Sequence, residues 1–290
     1  MARNGQAMST STHWLDWHRE HSDKRRRSGD EGEVSTTLLP RPDQRCGWYG
    51  GGLGPDGSIY CAPAGTGRVL RIAPANEMTA VASAALIGNT LTGSYVQAVR
   101  AGADGNLFCV PHRAASVVRI DPGRSSTEPV RGGEWDTQLS WDGGVEGPDG
   151  AVYAVPRNNH GYGRGMRVLR IDPDRDVAEP FGDAFTGEDL WMGGVRGADG
   201  RIYAAPAHAR RILCIDPTHQ TTSLVGDDLG PGGFKWWGGA LGPDGRVYFV
   251  PRNAPRVLRF DPASGACELI GDEMLGDNKW VGGAPARRCF

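Results

Sequence analysis

The chain has 290 residues, 44 of them Gly and 20 Pro, with a formal net charge of −2. So balanced a charge gives no global field that would attract nucleic acid or an acidic membrane surface. There is no strict Gly-X-Y period, which excludes collagen, and no apolar run approaches the ~18 residues a membrane helix needs.

In chain order, residues 1–33 come first, polar and charged, with no apolar period, and read as a disordered tail. The opening MARNGQAMSTSTHW has no apolar core of a secretory signal. The basic run Lys24–Arg27 reads as solvated, with nuclear import as the alternative to a cytoplasmic location. The folded region is expected over 34–290, and Val34–Leu39 resembles an unattached fourth strand. Cys46, Cys61, Cys109, Cys214, Cys267 and Cys289 form no C-x-x-C pair, so free thiols in a reducing compartment are expected rather than a zinc site.

From there the chain repeats. The tetrapeptide G-[PA]-D-G stands at Gly54–Gly57, Gly102–Gly105, Gly147–Gly150, Gly197–Gly200 and Gly242–Gly245. An aromatic follows each time (Tyr60, Phe108, Tyr153, Tyr203, Tyr248), then a proline (Pro63, Pro111, Pro156, Pro206, Pro251). A V-L-R-I-D-P variant closes each copy at Pro74, Pro122, Pro173, Pro217 and Pro262. The copies run over about 48–92, 93–139, 140–189, 190–235 and 236–279, with a partial sixth at 280–290.

Each copy reads as four strands. In the fifth, these are Trp237–Gly242, Arg246–Val250, Arg256–Asp261 and Cys267–Ile270. The Asp-Gly pair turns the first hairpin by supplying positive φ. The second strand is apolar on both alternating faces, Val247 and Phe249 on one, Tyr248 and Val250 on the other. Such a strand is covered on both sides. Radial stacking of the copies achieves this, so the expected fold is an all-β propeller of four-stranded blades. Glycine pairs such as Gly143–Gly144 and Gly238–Gly239 belong where the innermost strands crowd the axis. Two closures stay open: five blades complete the ring, or six are intended and one is incomplete.

The pattern G-P-D-G-x-[VIL]-Y…V-x-R-[IF]-D-P resembles the blades of NHL repeats, gluconolactonase-like enzymes and the virginiamycin B lyase group, over about residues 48–283. The likeness rests on scaffold residues, so it speaks for fold rather than function. In an antiparallel blade the second-to-third turns share a face with the blade-to-blade links, and the resemblance places sites on that face. There lie His112, Arg157, Asn158, His160, His208, Arg252 and Asn253 in the turns, with Lys235 and Trp236 in a link. The third copy carries six extra residues in Asn158–Gly165, and long loops on rigid scaffolds are disproportionately functional.

Gluconolactonase resemblance implies a divalent cation held by Glu, Asn and Asp at the channel mouth. Asp142, Asn158 and Asn253 stand at suitable places, but no Glu opens a first strand. In a lyase-like reading His160 is the candidate general base, with no orienting partner to be named. The reading is therefore a non-enzymatic binding module without cofactor or metal, monomeric, with a protein, peptide or glycan as ligand. The alternative is a metal-assisted lactonase or lyase acting in the central channel.

Overall fold

The computed structural model describes residues 47–65, 67–75, 82–100, 104–132, 139–159 and 165–282. These form five four-stranded antiparallel sheets. Blade one is β1 (Trp48–Leu53), β2 (Ile59–Pro63), β3 (Gly67–Ala73) and β4 (Ser83–Leu91). Blade two is β5 (Ser94–Arg100), β6 (Leu107–Arg113), β7 (Val118–Asp121) and β8 (Ser126–Pro129). Blade three is β9 (Leu139–Glu146), β10 (Val152–Asn159), β11 (Met166–Asp172) and β12 (Val177–Phe185). Blade four is β13 (Trp191–Arg196), β14 (Ile202–Pro206), β15 (Ile212–Asp216) and β16 (Thr221–Val225). Blade five is β17 (Trp236–Leu241), β18 (Val247–Pro251), β19 (Val257–Phe260) and β20 (Cys267–Ile270). Each strand pairs with its successor in the blade, and one parallel contact, Gly50 with Gln97, joins β1 to β5. No helix among the described residues is long and apolar enough to cross a membrane.

The first hairpin is built the same way in each blade. Gly54 accepts a hydrogen bond from the Gly57 N–H at 3.2 Å, and Gly57, Gly150, Gly200 and Gly245 have φ of +76, +77, +81 and +77°. Only the glycine of the Asp-Gly pair takes positive φ, a correction to the sequence reading. The aspartate has another duty. Its carboxylate accepts from the tyrosine hydroxyl of the following strand: Tyr60 to Asp56 at 3.0 Å, Tyr153 to Asp149 at 2.9 Å, Tyr203 to Asp199 at 2.7 Å, Tyr248 to Asp244 at 2.8 Å. A Tyr buried in the sheet thereby keeps its hydroxyl satisfied. In copy two Phe108 replaces Tyr, and Asp104 binds Asn106 instead.

Four apolar clusters hold the blades together, one at each successive junction. Leu107 and Cys109 of β6 pack back with Tyr60 and Ala62 of blade one. Phe108 and Val110, the alternate residues of the same strand, pack forward with Val152 and Ala154 of blade three. Tyr153 and Val155 then meet Ile202 and Ala204, and Tyr203 and Ala205 meet Val247 and Phe249. The two-faced second strand follows directly: alternation in β geometry sends neighbours to opposite faces, and each face has a blade against it. Cys61, Cys109, Cys214 and Cys267 are free thiols, and burial pushes Cys109 up to about 12.

The blade links lie on the face of the second-to-third turns, as expected. The Leu190 N–H donates to the Arg157 carbonyl at 3.1 Å, the Lys235 N–H to that of Ala207 at 3.1 Å, and the Arg252 N–H to that of Lys235 at 2.9 Å.

Candidate functional site

The site grows from a recurring irregularity of the innermost strands. Trp48-Tyr49-Gly50-Gly51, Trp141-Asp142-Gly143-Gly144, Trp191-Met192-Gly193-Gly194 and Trp236-Trp237-Gly238-Gly239 occupy one place in four blades. The register of β13 and β17 slips between the Trp and the second Gly, and that of β9 slips nearby. A bulge of this kind re-aims side chains. The first Trp turns into its own blade, where its indole N–H donates to a carbonyl at the start of the third strand or just before it: Trp141 to Arg167 at 2.9 Å, Trp191 to Arg211 at 2.9 Å, Trp236 to Arg256 at 3.0 Å. The next residue is released toward the axis in blades one, three and five, as Tyr49, Asp142 and Trp237.

Glycine is required at the third place. Gly143, Gly193 and Gly238 have φ of +66, +73 and +68°. A Cβ on Gly143 would stand 2.9 Å from the Gly193 Cα, and one on Gly193 would stand 2.9 Å from the Gly238 Cα. Backbones of neighbouring blades thus touch around the axis. They enclose a cavity of about 510 Å³ whose wall includes Gly50, Val96, Gly143, Gly193, Gly238 and Gly282. His112, Asp142, Arg157 and Trp237 supply its functional groups.

Arg157 sits between two carboxylates. Its Nε donates to Asp189 at 2.9 Å and its Nη1 to Asp142 at 3.3 Å, all three side chains being largely buried. Burial raises the Asp142 carboxyl above its ordinary range, and the Arg157 charge opposes that shift. Arg252 is differently placed. Its guanidinium lies 4.5 Å from the ring centroids of both Trp237 and Phe234, and its Nε donates to the Asn278 side-chain Oδ1 at 2.9 Å. Its Nη groups donate to no described residue, and no carboxylate pairs with it among them. Burial, then the nearby Arg157 charge, draws its pKa below the ordinary arginine value. Stacking on aromatic faces holds such a planar cation in place without neutralising it.

His112, at the end of β6, is the third element. Burial, then the charges of Arg157 and Arg113, pushes it down to about 4. The imidazole is neutral at physiological pH, and its Nδ1 is buried without a hydrogen-bond partner.

The other residues singled out in the sequence fall as follows. His208 places its ring edge-on to Phe234, centroids 4.6 Å apart, with Nε2 unpartnered. Asn253 is tied into the rim: its Nδ2 donates to the Gly233 carbonyl at 3.2 Å and its Oδ1 accepts from the Asn278 N–H at 2.9 Å. Lys235 is buried and its Nζ donates to the carbonyls of Ala209 at 2.8 Å and Gly230 at 3.2 Å. Trp236 is the blade-facing Trp and does not reach the cavity. The Asn158 backbone pairs with Ser140 in the sheet, while its side chain and His160 lie outside the described residues. Thus Arg157, Arg252 and His112 come together, His208 and Asn253 frame them, and Lys235 and Trp236 face the scaffold.

Sequence reasoning did not single out Trp237, Phe234 or Asn278, and it weighed Asp142 only as an oxygen donor for a cation. A signal was present. The residue after the Trp varies (Tyr49, Asp142, Met192, Trp237) while its flanks recur. As cation donors, Asp142 already binds Arg157 and the Asn253 oxygen already binds Asn278. Among the described residues no group of three His, Cys, Asp or Glu converges.

No protein-family model matches the chain, and no curated protein matches its sequence. Similar solved structures do exist. Virginiamycin B lyase from Staphylococcus aureus matches with a TM-score of 0.60 at 16% identity, covering 79% of this chain and 71% of that one. The nidogen/laminin complex matches with a TM-score of 0.52 at 14% identity, covering 75% and 77%. A gluconolactonase from Xanthomonas campestris matches with a TM-score of 0.50 at 15% identity, covering 81% and 78%. At such identities the likeness concerns the fold, and the fold so shared is the β-propeller.

Proposed function

We propose that this chain is a binding propeller that receives a carboxylate of a peptide at the mouth of its central cavity. The observation that carries the reading is Arg252. A half-buried guanidinium, fixed by two aromatic rings, has outer Nη donors with no partner among the described residues, while both nearby aspartates pair with Arg157. An incoming carboxylate would find a pre-oriented fork, the geometry in which Arg–carboxylate pairs are strongest. Because the fork is already held, little side-chain entropy is lost on binding. The rim is less suited to a glycan, since the Trp237 ring that would stack on a sugar already carries Arg157 at 5.4 Å and Arg252 at 4.5 Å.

A paired peptide array tests this reading. Each peptide is displayed with a free C-terminal carboxylate or as the amide, and with Asp/Glu or Asn/Gln inside. Binders should lose at least tenfold in affinity on the carboxylate-to-amide change, and the Arg252→Gln chain should lose the same discrimination. Neutral peptides or glycans binding equally to both chains would overturn it.

One observation favours a second reading, catalysis in the cavity: the neutral His112 with its unpartnered Nδ1. A neutral imidazole can take a proton. A structurally similar lyase is catalytically inactive when one of its histidines is replaced by alanine, and the structure of that variant contains quinupristin. Turnover of quinupristin or a sugar lactone that is lost in His112→Gln would favour this reading over binding alone.

A further inference from the structure

Blades three and five carry the same turn. Pro156-Arg157-Asn158 and Pro251-Arg252-Asn253 stand at one place in the repeat, since Pro156 pairs with Trp141 and Pro251 with Trp236. The link that follows each blade folds back on its arginine in the same way. The Leu190 N–H donates to the Arg157 carbonyl at 3.1 Å, and the Lys279 N–H donates to the Arg252 carbonyl at 3.0 Å. Blade four has Ala207 at this place, and its carbonyl accepts from the Lys235 N–H at 3.1 Å.

The residues just before these three donors are therefore equivalent too: Asp189, Phe234 and Asn278. All are left-handed, with φ of +48, +51 and +53°. Glycine would take this conformation freely, so each side chain is held there against strain. Their contacts account for it. Asp189 accepts from the Arg157 Nε at 2.9 Å, and Asn278 accepts from the Arg252 Nε at the same 2.9 Å. Phe234 sets its ring against the Arg252 guanidinium, 4.5 Å away. The two arginines are thus held through the same nitrogen, over the same distance, from the same place in the link. They differ in charge. Arg157 meets the Asp189 carboxylate and, at 3.3 Å, that of Asp142. Arg252 meets an amide and two rings, and no carboxylate pairs with it among the described residues.

We propose that Asn278 is the specificity-determining residue of the site: it holds the Arg252 fork through the neutral isostere of the Asp189 carboxylate, and so leaves that charge for a ligand bearing one carboxylate. The inference rests on the carboxylate reading of Arg252 given above and extends it to the charge of the ligand. A phosphate dianion or a diacid would call for a second unneutralised cation, and Arg157 already faces two aspartates. Asparagine and aspartate have nearly the same shape, so a single amide-to-acid change would close the site from within.

The test reads the guanidinium itself, as the rate at which phenylglyoxal modifies Arg252 in the full chain, followed by peptide mapping with mass spectrometry. The reagent adds to an uncharged guanidine, and a paired carboxylate slows it by holding the proton in place. In the parent, N-acetylglycine should slow modification of Arg252, N-acetylglycinamide should not, and inorganic phosphate should protect no better than N-acetylglycine. Asn278→Asp should lower the Arg252 rate about tenfold with nothing added, and N-acetylglycine should then have no further effect. This variant keeps the fold, because Asn278 is exposed and Asp189 already occupies the equivalent left-handed place. Asn278→Gly suits the same φ and adds no charge, so it should keep the fast rate. An Arg252 rate unchanged by Asn278→Asp, or lowered as much by Asn278→Gly, overturns the proposal, and stronger protection by phosphate overturns its limit to one carboxylate. Failure of N-acetylglycine to protect the parent, with the slowing by Asn278→Asp intact, would instead overturn the carboxylate reading and uphold the part Asn278 plays in leaving Arg252 unneutralised.

Discussion

The electrostatics of the cavity make a quantitative demand on stability. His112 is held at about 4 by burial and by the charges of Arg157 and Arg113, against 6.5 for the free side chain. A depressed histidine pKa means that the unfolded chain takes up a proton between these two values while the folded chain does not. Stability must therefore fall as pH drops from about 6.5 to about 4, and it is unaffected by this group above that window. Each unit of displacement is worth about 1.36 kcal/mol, so the full difference is about 3 kcal/mol. Asp56, Asp172 and Asp216 have lowered carboxyl pKa values, so their contribution is lost only as pH falls below 3.8. Asp142, raised by burial, acts in the opposite sense. Subtracting a His112→Gln variant from the parent cancels these terms. Urea unfolding at half-unit steps from pH 7.5 to 4.5 should show the parent losing stability faster by about 1 kcal/mol per unit at the steepest part of the curve. Parallel curves for the two proteins would refute the assignment of a buried, neutral His112.

Two glycine substitutions separate conformation from crowding. Gly245→Val places a β-branched residue at φ +77° with nothing within 4 Å, so only backbone strain of about 1–3 kcal/mol is expected from chemical denaturation. Gly193→Ala adds a clash with the Gly238 Cα at 2.9 Å to strain of about 1–2 kcal/mol, so its midpoint should fall below that of Gly245→Ala. Tyr203→Phe removes the 2.7 Å bond to Asp199 and should cost about 1 kcal/mol without altering ligand binding at the cavity, measurable by the same unfolding curves.

The repeat made most of the scaffold legible. Five G-[PA]-D-G turns locate the hairpins, and the two-faced second strand, such as Arg246–Val250, already implies blades on both sides. The site was less accessible for a physical reason. Strict alternation cannot tell whether Trp236 or Trp237 faces the axis, because the bulge between Trp236 and Gly239 breaks the period of two. The partners of Arg252 come from separate links, Phe234 before β17 and Asn278 after β20, and no local pattern joins them. His112 was legible as a turn residue, but its neutral state depends on burial between blades and then on the charge of Arg157 from the next blade.

The central claim is that ligand binding uses the face that carries Arg157 and Arg252. It is tested most directly by isothermal titration of the strongest array peptide against two double variants. Arg157→Ala with Arg252→Ala removes the guanidiniums at the cavity mouth, and a thermal melt of each variant confirms that it is folded. Arg201→Ala with Arg246→Ala removes two exposed arginines at the opposite end of the blades, which pair with Asp216 and Asp244. The account predicts that the first pair abolishes the isotherm and the second leaves the affinity within twofold of the parent. Loss of binding in the second pair, with the first intact, would place the site on the other face.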